Sequence, residues 1–210
     1  MKMAMVAVIA MGMVACSYAE EKKAMKVVRF ARVEVEKGSG LVQAIGRRRS
    51  VRSFEGREIE EWKLGMLLWA AQGVSSPWGY RTAPSAGALY PLETYVATRG
   101  GVYQYLPKEH ALVQRGTNDV RGLLAREAYG QTFVGEAPVV VVFTAVYERE
   151  TRKYGERGIM YTHMEVGHAA QNLMLQAVEF GLGTVAVGAF DERGVSAALG
   201  LPRGETPVYL

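Results

Sequence analysis

The chain has 210 residues, of which 49% are hydrophobic and 22% are charged, and it contains a single cysteine. These proportions suit one globular domain with a full core, and they exclude a disordered chain, a collagen-like chain and a disulfide scaffold. The 25 basic and 21 acidic residues give a net charge of only +4. No basic stretch interleaved with aromatic residues is present, so nucleic-acid binding is not expected.

The first nineteen residues predict a secretory signal peptide. Lys2 is followed by an uncharged, mostly apolar run to Ala15, and residues 17–19 (Ser-Tyr-Ala) place small residues where signal peptidase reads them. The run is too short to span a bilayer as a mature helix. Two alternatives stay open: a lipoprotein acylated at Cys16, which is the only membrane contact we expect, and an apolar N-terminal element of a cytoplasmic protein.

After a charged lead-in over residues 20–38, expected to be poorly ordered, the domain is predicted to occupy residues 39–210. Hydrophobic periodicity and turn residues set the elements of its first half. The predicted helices are residues 40–49 and 59–72, the loop rich in Ser, Pro and Gly is 73–87, and the predicted strands are 92–98, 102–106 and 111–114.

The second half of the domain is predicted to contain the longest helix. The helices are expected at 119–129, 159–180 and 191–200, and the strands at 138–145, 184–190 and from 208 onward. Asp119 and Asp191 are the expected N-caps of the first and last of these helices. In the longest helix, Gly167 and Ala170 form a small-residue patch that would let another helix approach closely. Together the elements predict an α+β fold, with helices flanking a mainly antiparallel central sheet.

Three segments carry residue types suited to ligand binding, and each also has an ordinary structural explanation. The segment RRRSVRSF (residues 47–54) offers guanidinium groups and hydroxyls for a phosphate, or is a solvated basic helix end. The segment PSAGALYP (84–91) is a rigid loop that can approach a flat ring, or is a plain connector. The segment GLGTVAVGAFD (181–191) exposes backbone N–H groups at Gly188 and Ala189, or is a strand end and helix cap. A dinucleotide-binding G-x-G-x-x-G motif and a P-loop are both absent, so Rossmann and nucleotide-triphosphatase interpretations lack support.

In this order and spacing the segments resemble the nitroreductase superfamily, and most closely its SagB/ThcOx-type branch, over residues 41–210. The matching blocks are RRSVRSF (48–54), PSAGALYP (84–91), EVGHAAQNL (165–173) and GLGTVAVGAFD (181–191). The resemblance implies a homodimer with FMN bound at the subunit interface. It also implies that the longest helix packs in that interface.

The resemblance assigns flavin contacts one position at a time. It implies that the FMN phosphate and the pyrimidine edge of the ring contact Arg48, Arg49, Ser50 and Arg52. It implies that the isoalloxazine lies against a loop, usually from the partner subunit, formed here by Pro84, Ser85 and Ala86. The implied backbone donors near N5 and O4 are Gly188 and Ala189. Relatives usually continue into a tail that wraps the other subunit and adds a basic contact to the phosphate. Because this sequence stops at Leu210, phosphate binding is expected to depend more heavily on Arg48 and Arg52.

The resemblance also suggests two catalytic residues. In azoline-oxidising members of the branch a Lys-Tyr pair acts in proton transfer, and Lys153 and Tyr154 match it. A buried lysine beside a flavin would have a lowered pKa, and the tyrosine could relay a proton. The alternative is a surface pair on a loop before the long helix.

No metal site is expected among the three histidines. His163 and His168 are five residues apart on the predicted helix and point to different sides, which is poor geometry for two ligands of one metal. We expect His168 to be a satisfied residue within the helix packing.

The sequence therefore predicts an FMN-dependent oxidoreductase that transfers hydride between flavin N5 and a small organic substrate such as a nitro compound or quinone. If the protein is exported to the periplasm or envelope it needs an electron donor other than NAD(P)H, whereas in the cytoplasm NAD(P)H is the expected donor. Two alternatives remain: an azoline-to-azole peptide dehydrogenase using Lys153 and Tyr154, and a non-catalytic envelope lipoprotein that binds flavin poorly.

Overall fold

A five-stranded antiparallel sheet lies at the centre of the protein. In this computed structural model the described residues are 34–210; the predicted signal peptide, Cys16 and residues 20–33 of the predicted lead-in lie outside them. The strands are β1 (Leu92–Thr98), β2 (Gly101–Leu106), β3 (Ala111–Gly116), β4 (Val140–Ala145) and β5 (Thr206–Tyr209). Their order across the sheet is β3-β2-β1-β4-β5. The predicted α+β fold with an antiparallel sheet is confirmed.

Helices cover both faces of the sheet. They are α1 (Gly40–Arg47), α2 (Glu61–Gln72), α3 (Arg121–Glu127), α4 (Thr132–Glu136), α5 (Glu148–Tyr154), α6 (Arg157–Glu179) and α7 (Glu192–Leu199). Short 3₁₀ turns occur at Val35–Lys37 and Ala86–Ala88. Within residues 34–210, no helix combines the length and the hydrophobicity needed to cross a membrane.

The strand β1 is buried on both faces because successive side chains point to opposite sides of the sheet. Tyr95 and Ala97 pack in a core cluster with residues of α3 and α7, whereas Val96 packs against Leu64 and Leu68 of α2. On its two edges β1 pairs with β2 and β4, so it is the middle strand of the sheet. Its bounds agree with the predicted strand at 92–98.

The longest helix, α6, lies against α2 and α5. Val166, Ala169 and Leu173 of α6 join a buried cluster that also contains residues of α2, β1 and β4. Gly158 lets the first turn of α6 approach α5, since a Cβ at this position would stand 2.7 Å from the backbone carbon of Glu150. The helix was predicted at 159–180, and it begins two residues earlier.

The strand predicted at 184–190 is wrong: this stretch is extended but joins no ladder of the sheet. Its pairings are an isolated parallel bridge between Thr184 and Ser50, and a reciprocal pair of backbone hydrogen bonds between Val187 and Leu210 at 2.7 and 3.0 Å. Because the stretch has different partners at its two ends, no continuous strand lies beside it. The Val-rich pattern indicated burial correctly at Val187 but could not reveal the missing ladder.

The expected helix caps are present with one shift. Asp191 accepts a hydrogen bond from the Gly194 N–H at 2.6 Å, and α7 ends at Gly200 in the left-handed region with φ of +64°. At α3 the Asp119 carboxylate accepts from the Arg121 N–H at 3.1 Å, although the N-cap position itself is Val120.

Two expectations about α6 are wrong. His168 is exposed instead of packed within the helices. Gly167 is also exposed, with nothing within 4 Å of where its Cβ would be, whereas Ala170 is buried in the core, so the two do not form one surface patch. Packing of this helix in a dimer interface stays a prediction.

Candidate functional site

Two of the singled-out segments lie side by side. We call residues 48–54 the arginine segment and residues 181–191 the glycine segment. The Val51 N–H donates to the Thr184 carbonyl at 2.9 Å, next to the isolated bridge at Ser50. A Cβ at Gly183 would stand 2.8 Å from a Val51 methyl carbon, so only glycine allows this approach. The close contact brings arginine side chains and exposed backbone of the glycine segment onto neighbouring stretches of chain.

The arginine segment carries positive charge that no carboxylate neutralises. Among the residues described, Arg48, Arg49 and Arg52 form no ion pair, whereas the flanking Arg47 and Arg57 pair with Glu36 and Glu55. The Arg49 guanidinium donates to the Gly46 and Arg48 carbonyls at the end of α1, at 2.9 and 2.8 Å. The Arg52 guanidinium lies 5.7 Å from the centre of the Phe133 ring. The segment therefore carries three guanidinium groups without a carboxylate partner among the described residues, and an anion could pair with them.

The glycine segment presents unpaired backbone donors. In the described part of the chain the N–H groups of Gly188 and Ala189 have no acceptor, and both residues are exposed. They lie between two anchored positions, because the Val187 N–H donates to Leu210 at 2.7 Å and the Asp191 N–H donates to Glu127 at 2.8 Å. A Cβ at Gly188 would make only an ordinary contact, 3.7 Å from the Tyr209 ring, so packing does not close off this backbone. The two N–H groups can donate to a ligand.

A second pair of segments meets in another part of the protein. Its first member is residues 84–91, which we call the proline loop, and its second member is Lys153 and Tyr154. Gly87, Ala88 and Tyr90 all adopt left-handed backbone conformations, with φ of +60°, +53° and +48°. For a residue other than glycine this conformation costs roughly 1–3 kcal/mol and persists only where surrounding contacts impose it.

Hydrogen bonds centred on Tyr90 hold the proline loop in place. The Ser85 hydroxyl accepts from the Tyr90 N–H at 2.9 Å, and the Arg149 guanidinium donates to the Tyr90 carbonyl at 2.8 Å. The Tyr90 hydroxyl accepts from the Arg81 N–H at 3.1 Å, and the Arg81 guanidinium stacks 4.6 Å from the centre of the Tyr90 ring. The loop is thus a rigid surface.

Lys153 and Tyr154 converge on this loop. A Cβ at Gly87 would stand 2.7 Å from the Tyr154 hydroxyl and 2.8 Å from the Lys153 Nζ, so both functional atoms lie against the loop where it lacks a side chain. The pair occupies the last turn of α5 and not a loop, and Lys153 is exposed. Lys153 is thus exposed in the single chain, and its burial beside a flavin stays a prediction. Tyr154 is half-buried, edge-on to Tyr161 at 5.2 Å.

The segments thus come together in two pairs. The arginine segment meets the glycine segment, and the proline loop meets Lys153 and Tyr154. Across residues 34–210, no hydrogen bond or ion pair joins one pair of segments to the other. Whether the proline loop completes the first pair from a partner subunit stays a prediction.

A cavity of about 570 Å³ lies beside the arginine and glycine segments. Val51 and Ser53 line it, together with apolar side chains such as Phe133, Leu173 and Met174. None of the predicted flavin contacts lines it. Its walls nevertheless include Phe54 of the arginine segment and residues 181–187 of the glycine segment, so both segments form the cavity as well as carrying the predicted contacts.

Sequence reasoning missed two buried carboxyl groups, those of Glu150 and Glu165. Burial raises the pKa of Glu165 to about 7, although Ser85, Arg81 and Gln72 favour its charged form. Burial also raises the pKa of Glu150, against the opposing influence of Lys153. Glu165 has the spacing of the buried side of α6, three residues after Thr162 and four before Ala169, and this was the available signal. No three His, Cys, Asp or Glu side chains between residues 34 and 210 are grouped to hold a metal ion.

Comparison with known proteins relates the chain to the nitroreductase family in both sequence and fold. The model of the nitroreductase family matches residues 45–210. A Methanocaldococcus jannaschii protein that bears the name nitroreductase is 46% identical over 159 residues, which cover 73% of this chain and 80% of the relative. The crystal structure of a protein named as a nitroreductase from Ralstonia eutropha has a TM-score of 0.75 and 30% identity, covering 85% of this chain and 84% of that one.

Two further similarities are more distant. The microcin B17-processing protein McbC of Escherichia coli is 31% identical over 113 residues, or 49% of this chain and 42% of McbC. The NADPH:FMN oxidoreductase of Vibrio harveyi, solved in complex with NAD⁺, shares the fold with a TM-score of 0.61 and 21% identity, covering 81% of this chain and 66% of that one.

Proposed function

The chain belongs to the nitroreductase family, and from this premise we propose that it is an FMN-dependent oxidoreductase acting on a small organic substrate as a homodimer. The observation that carries the proposal is the contact between the arginine segment and the glycine segment, each of which has polar groups without a partner among the described residues. Within residues 34–210, three arginines without carboxylate partners lie on the segment that packs against the glycine segment. In the same range, the Gly188 and Ala189 N–H groups of the glycine segment have no acceptor. A phosphorylated, flat, hydrogen-bond-accepting ligand suits both surfaces.

The residues of the first pair of segments fit FMN. Arg48, Arg49 and Arg52, with the exposed Ser50 hydroxyl, would bind its phosphate and the pyrimidine edge of its ring. The Gly188 and Ala189 N–H groups would donate to the ring. When bound, FMN supplies hydride transfer at N5, and a donor near that atom favours the transfer.

The proline loop would lie against the ring from the partner subunit, through Pro84, Ser85 and Ala86. Its rigidity supports this role, since a flat, preformed surface can stack on a ring without further ordering. The separation of the two pairs of segments within one chain also agrees with a site completed by a second copy.

The small substrate would be a nitro compound, a quinone or a similar acceptor. NAD(P)H is the proposed electron donor if the protein acts in the cytoplasm, in line with the NADPH:FMN oxidoreductase among its structural relatives. If the predicted signal peptide directs export to the periplasm or envelope, another donor must replace NAD(P)H.

Dehydrogenation of a peptide azoline is a second candidate function. The convergence of the Lys153 Nζ and the Tyr154 hydroxyl on Gly87 favours it, because it places a base and a proton relay on the surface proposed to face the flavin. Activity on a thiazoline peptide that is lost in Lys153→Ala and Tyr154→Phe, with FMN still bound, would support it. Unchanged activity in both variants would exclude it.

The test of the main proposal is the absorbance spectrum of the purified protein, followed by release and identification of the cofactor. We expect a flavin band from about one FMN per chain. A colourless protein that also fails to take up added FMN would overturn the proposal and favour a flavin-poor binding protein.

Arg52→Gln tests the arginine segment, with Arg57→Gln as the matched control. Both arginines are exposed, but Arg57 is paired with Glu55 and is not assigned to the cofactor. Loss of a charged hydrogen bond of about 1.5–3 kcal/mol should weaken FMN binding roughly 10- to 100-fold in Arg52→Gln. Arg57→Gln should bind FMN as the wild type does. Equal FMN affinity in the two variants would remove Arg52 from the proposed site.

A further inference from the structure

Glu150 and Glu165 are two buried carboxyl groups on helices that pack against each other. Glu150 lies one turn before Lys153 on α5, and Glu165 lies on α6, which packs against α5 through Gly158. The exposed fractions of the two residues are 0% and 2%. Neither carboxyl group receives a hydrogen bond of normal geometry from a described residue. Water therefore has little access to either group, and no protein donor is fully committed to either.

Ser85 of the proline loop is the side chain that both carboxyl groups share. Its hydroxyl is close enough to lower the pKa of each of them. The Ser85 oxygen already accepts from the Tyr90 N–H at 2.9 Å, and its single hydroxyl hydrogen remains to be donated. It can donate to only one carboxylate at a time.

The surroundings of the pair hold too little positive charge for two buried anions. The charged side chains that act on the two carboxyl groups are Arg81, from the chain after α2, and Lys153 of α5. Arg81 itself is surrounded by Glu93 of β1, Arg149 of α5 and Tyr90 of the proline loop. Arg149 is already paired with Glu93 at 2.6 Å. Arg81 donates to the Gln72 Oε1 at 2.7 Å, and the Gln72 side-chain nitrogen is buried beside Glu165 without an acceptor of normal geometry.

Two carboxylates in one low-dielectric site repel each other, so one of them keeps its proton at a pH where an exposed carboxyl is ionised. The charge of Glu150 acts in this direction on Glu165. Lys153 faces Glu150 and favours its charged form. The protonated member is therefore Glu165, and the ionised member faces Lys153.

We propose that Glu150 and Glu165 hold one shared proton near neutral pH and act as positioning residues for the Ser85 hydroxyl and the Lys153 ammonium. This inference rests on the proposed function in one respect, namely that the proline loop faces the flavin. When Glu165 is protonated, Glu150 is the one charged acceptor toward which the Ser85 hydroxyl can turn. When Glu165 ionises, the Ser85 hydroxyl has a second charged acceptor. The Ser85 side chain, and with it the proline loop, then shifts. In this way the protonation state of Glu165, which has no flavin contact of its own, changes the surface that is proposed to face the flavin.

The first test is an infrared titration of the cofactor-free protein, which needs neither FMN nor a substrate. The wild type should show the carbonyl band of one protonated carboxylic acid per chain at about pH 6, and this band should disappear by about pH 8. Glu165→Gln should abolish the band. Ser85→Ala should move its titration to higher pH, because a group that favours the charged form is lost. Glu148→Gln, which removes an exposed carboxylate of α5, should leave the band unchanged.

If Glu165→Gln does not fold, the infrared titration of the wild type still tests the shared proton. Absence of any carbonyl band at about pH 6, or a band that persists in Glu165→Gln, would overturn the shared proton.

The second test addresses the link to the flavin surface. In FMN-loaded protein, the flavin absorbance of the wild type should shift with pH in the range where the carbonyl band is lost, and that of Glu165→Gln should not. A flavin spectrum with the same pH dependence in both proteins would overturn the positioning role while leaving FMN binding intact. A protein that binds no FMN, but still shows the infrared titration, would fail the proposed function and not the shared proton.

Discussion

Replacing Gly183 by alanine should push the arginine segment away from the glycine segment. The new Cβ would stand 2.8 Å from one Val51 methyl carbon and 2.9 Å from the Val51 Cβ, closer than nonbonded carbon atoms normally approach. Overpacking of this kind costs about 1–3 kcal/mol in the free energy of unfolding. Because the same contact holds the arginine segment against the glycine segment, the proposed FMN binding should also weaken, by roughly 10-fold for each 1.4 kcal/mol lost from binding.

The assay is denaturant unfolding of the cofactor-free protein together with an FMN titration, carried through a double-mutant cycle with Val51→Gly. Val51→Gly removes the three atoms nearest to the new Cβ, so the double variant should be more stable than the sum of the single effects by about 1–2 kcal/mol. Gly122→Ala is the matched control, since its Cβ would meet nothing within 4 Å and helix propensity favours alanine by up to about 1 kcal/mol. If Gly183→Ala is as stable as the control and the cycle shows no coupling, the two segments do not approach as described.

Three further predictions concern other parts of the fold. Burial raises the pKa of Glu165 in the folded protein to about 7 from an ordinary value of 4.5, so the protonated carboxyl stabilises the folded state. This contribution to the free energy of unfolding, up to about 3 kcal/mol, is fully present below pH 4.5 and should be lost as pH rises through 7. Denaturant unfolding of Glu165→Gln across the same pH range should not show that loss. Asp191→Ala should lower the free energy of unfolding by about 1 kcal/mol, since the Gly194 N–H loses its cap, and a thermal melt with an unchanged midpoint would contradict this. Gly87→Ala should cost about 1 kcal/mol or more, because the residue has a left-handed backbone and its Cβ would crowd the Tyr154 hydroxyl; combining it with Tyr154→Phe should recover part of that loss in denaturant unfolding, and no recovery would show that the hydroxyl is not the obstacle.

The elements with a strong local pattern could be predicted from the sequence. The strand β1 has branched and aromatic residues between Pro91 and the turn at Gly100, and its predicted bounds hold. The helix α6 has a sustained apolar side, and its predicted bounds differ by two residues at the start and one at the end. In both cases the signal lies in the segment itself, so no distant part of the chain needs to be known.

Features that depend on distant partners could not be predicted. The stretch 184–190 resembles a buried strand, but its bonding depends on Ser50 and Leu210, which are far away in the chain. Glu165 has the spacing of the buried side of α6, but its residue type favours a solvated position, so its burial could not be decided without knowing what packs against this helix. Exposure of Lys153 likewise follows from the position of its helix end. The arginine and glycine segments were each visible as motifs, but their contact through Gly183 was not.

The left-handed conformations of Ala88 and Tyr90 have a consequence for selectivity. Since folding already imposes them, a ring that stacks on the loop loses little conformational entropy from the protein, and its affinity is limited mainly by shape. The same stiffness prevents the loop from moving aside for a bulky, non-planar molecule. If the loop faces the flavin as proposed, planar aromatic acceptors should be turned over faster than crowded ones of equal reduction potential, because shape and not driving force limits their binding.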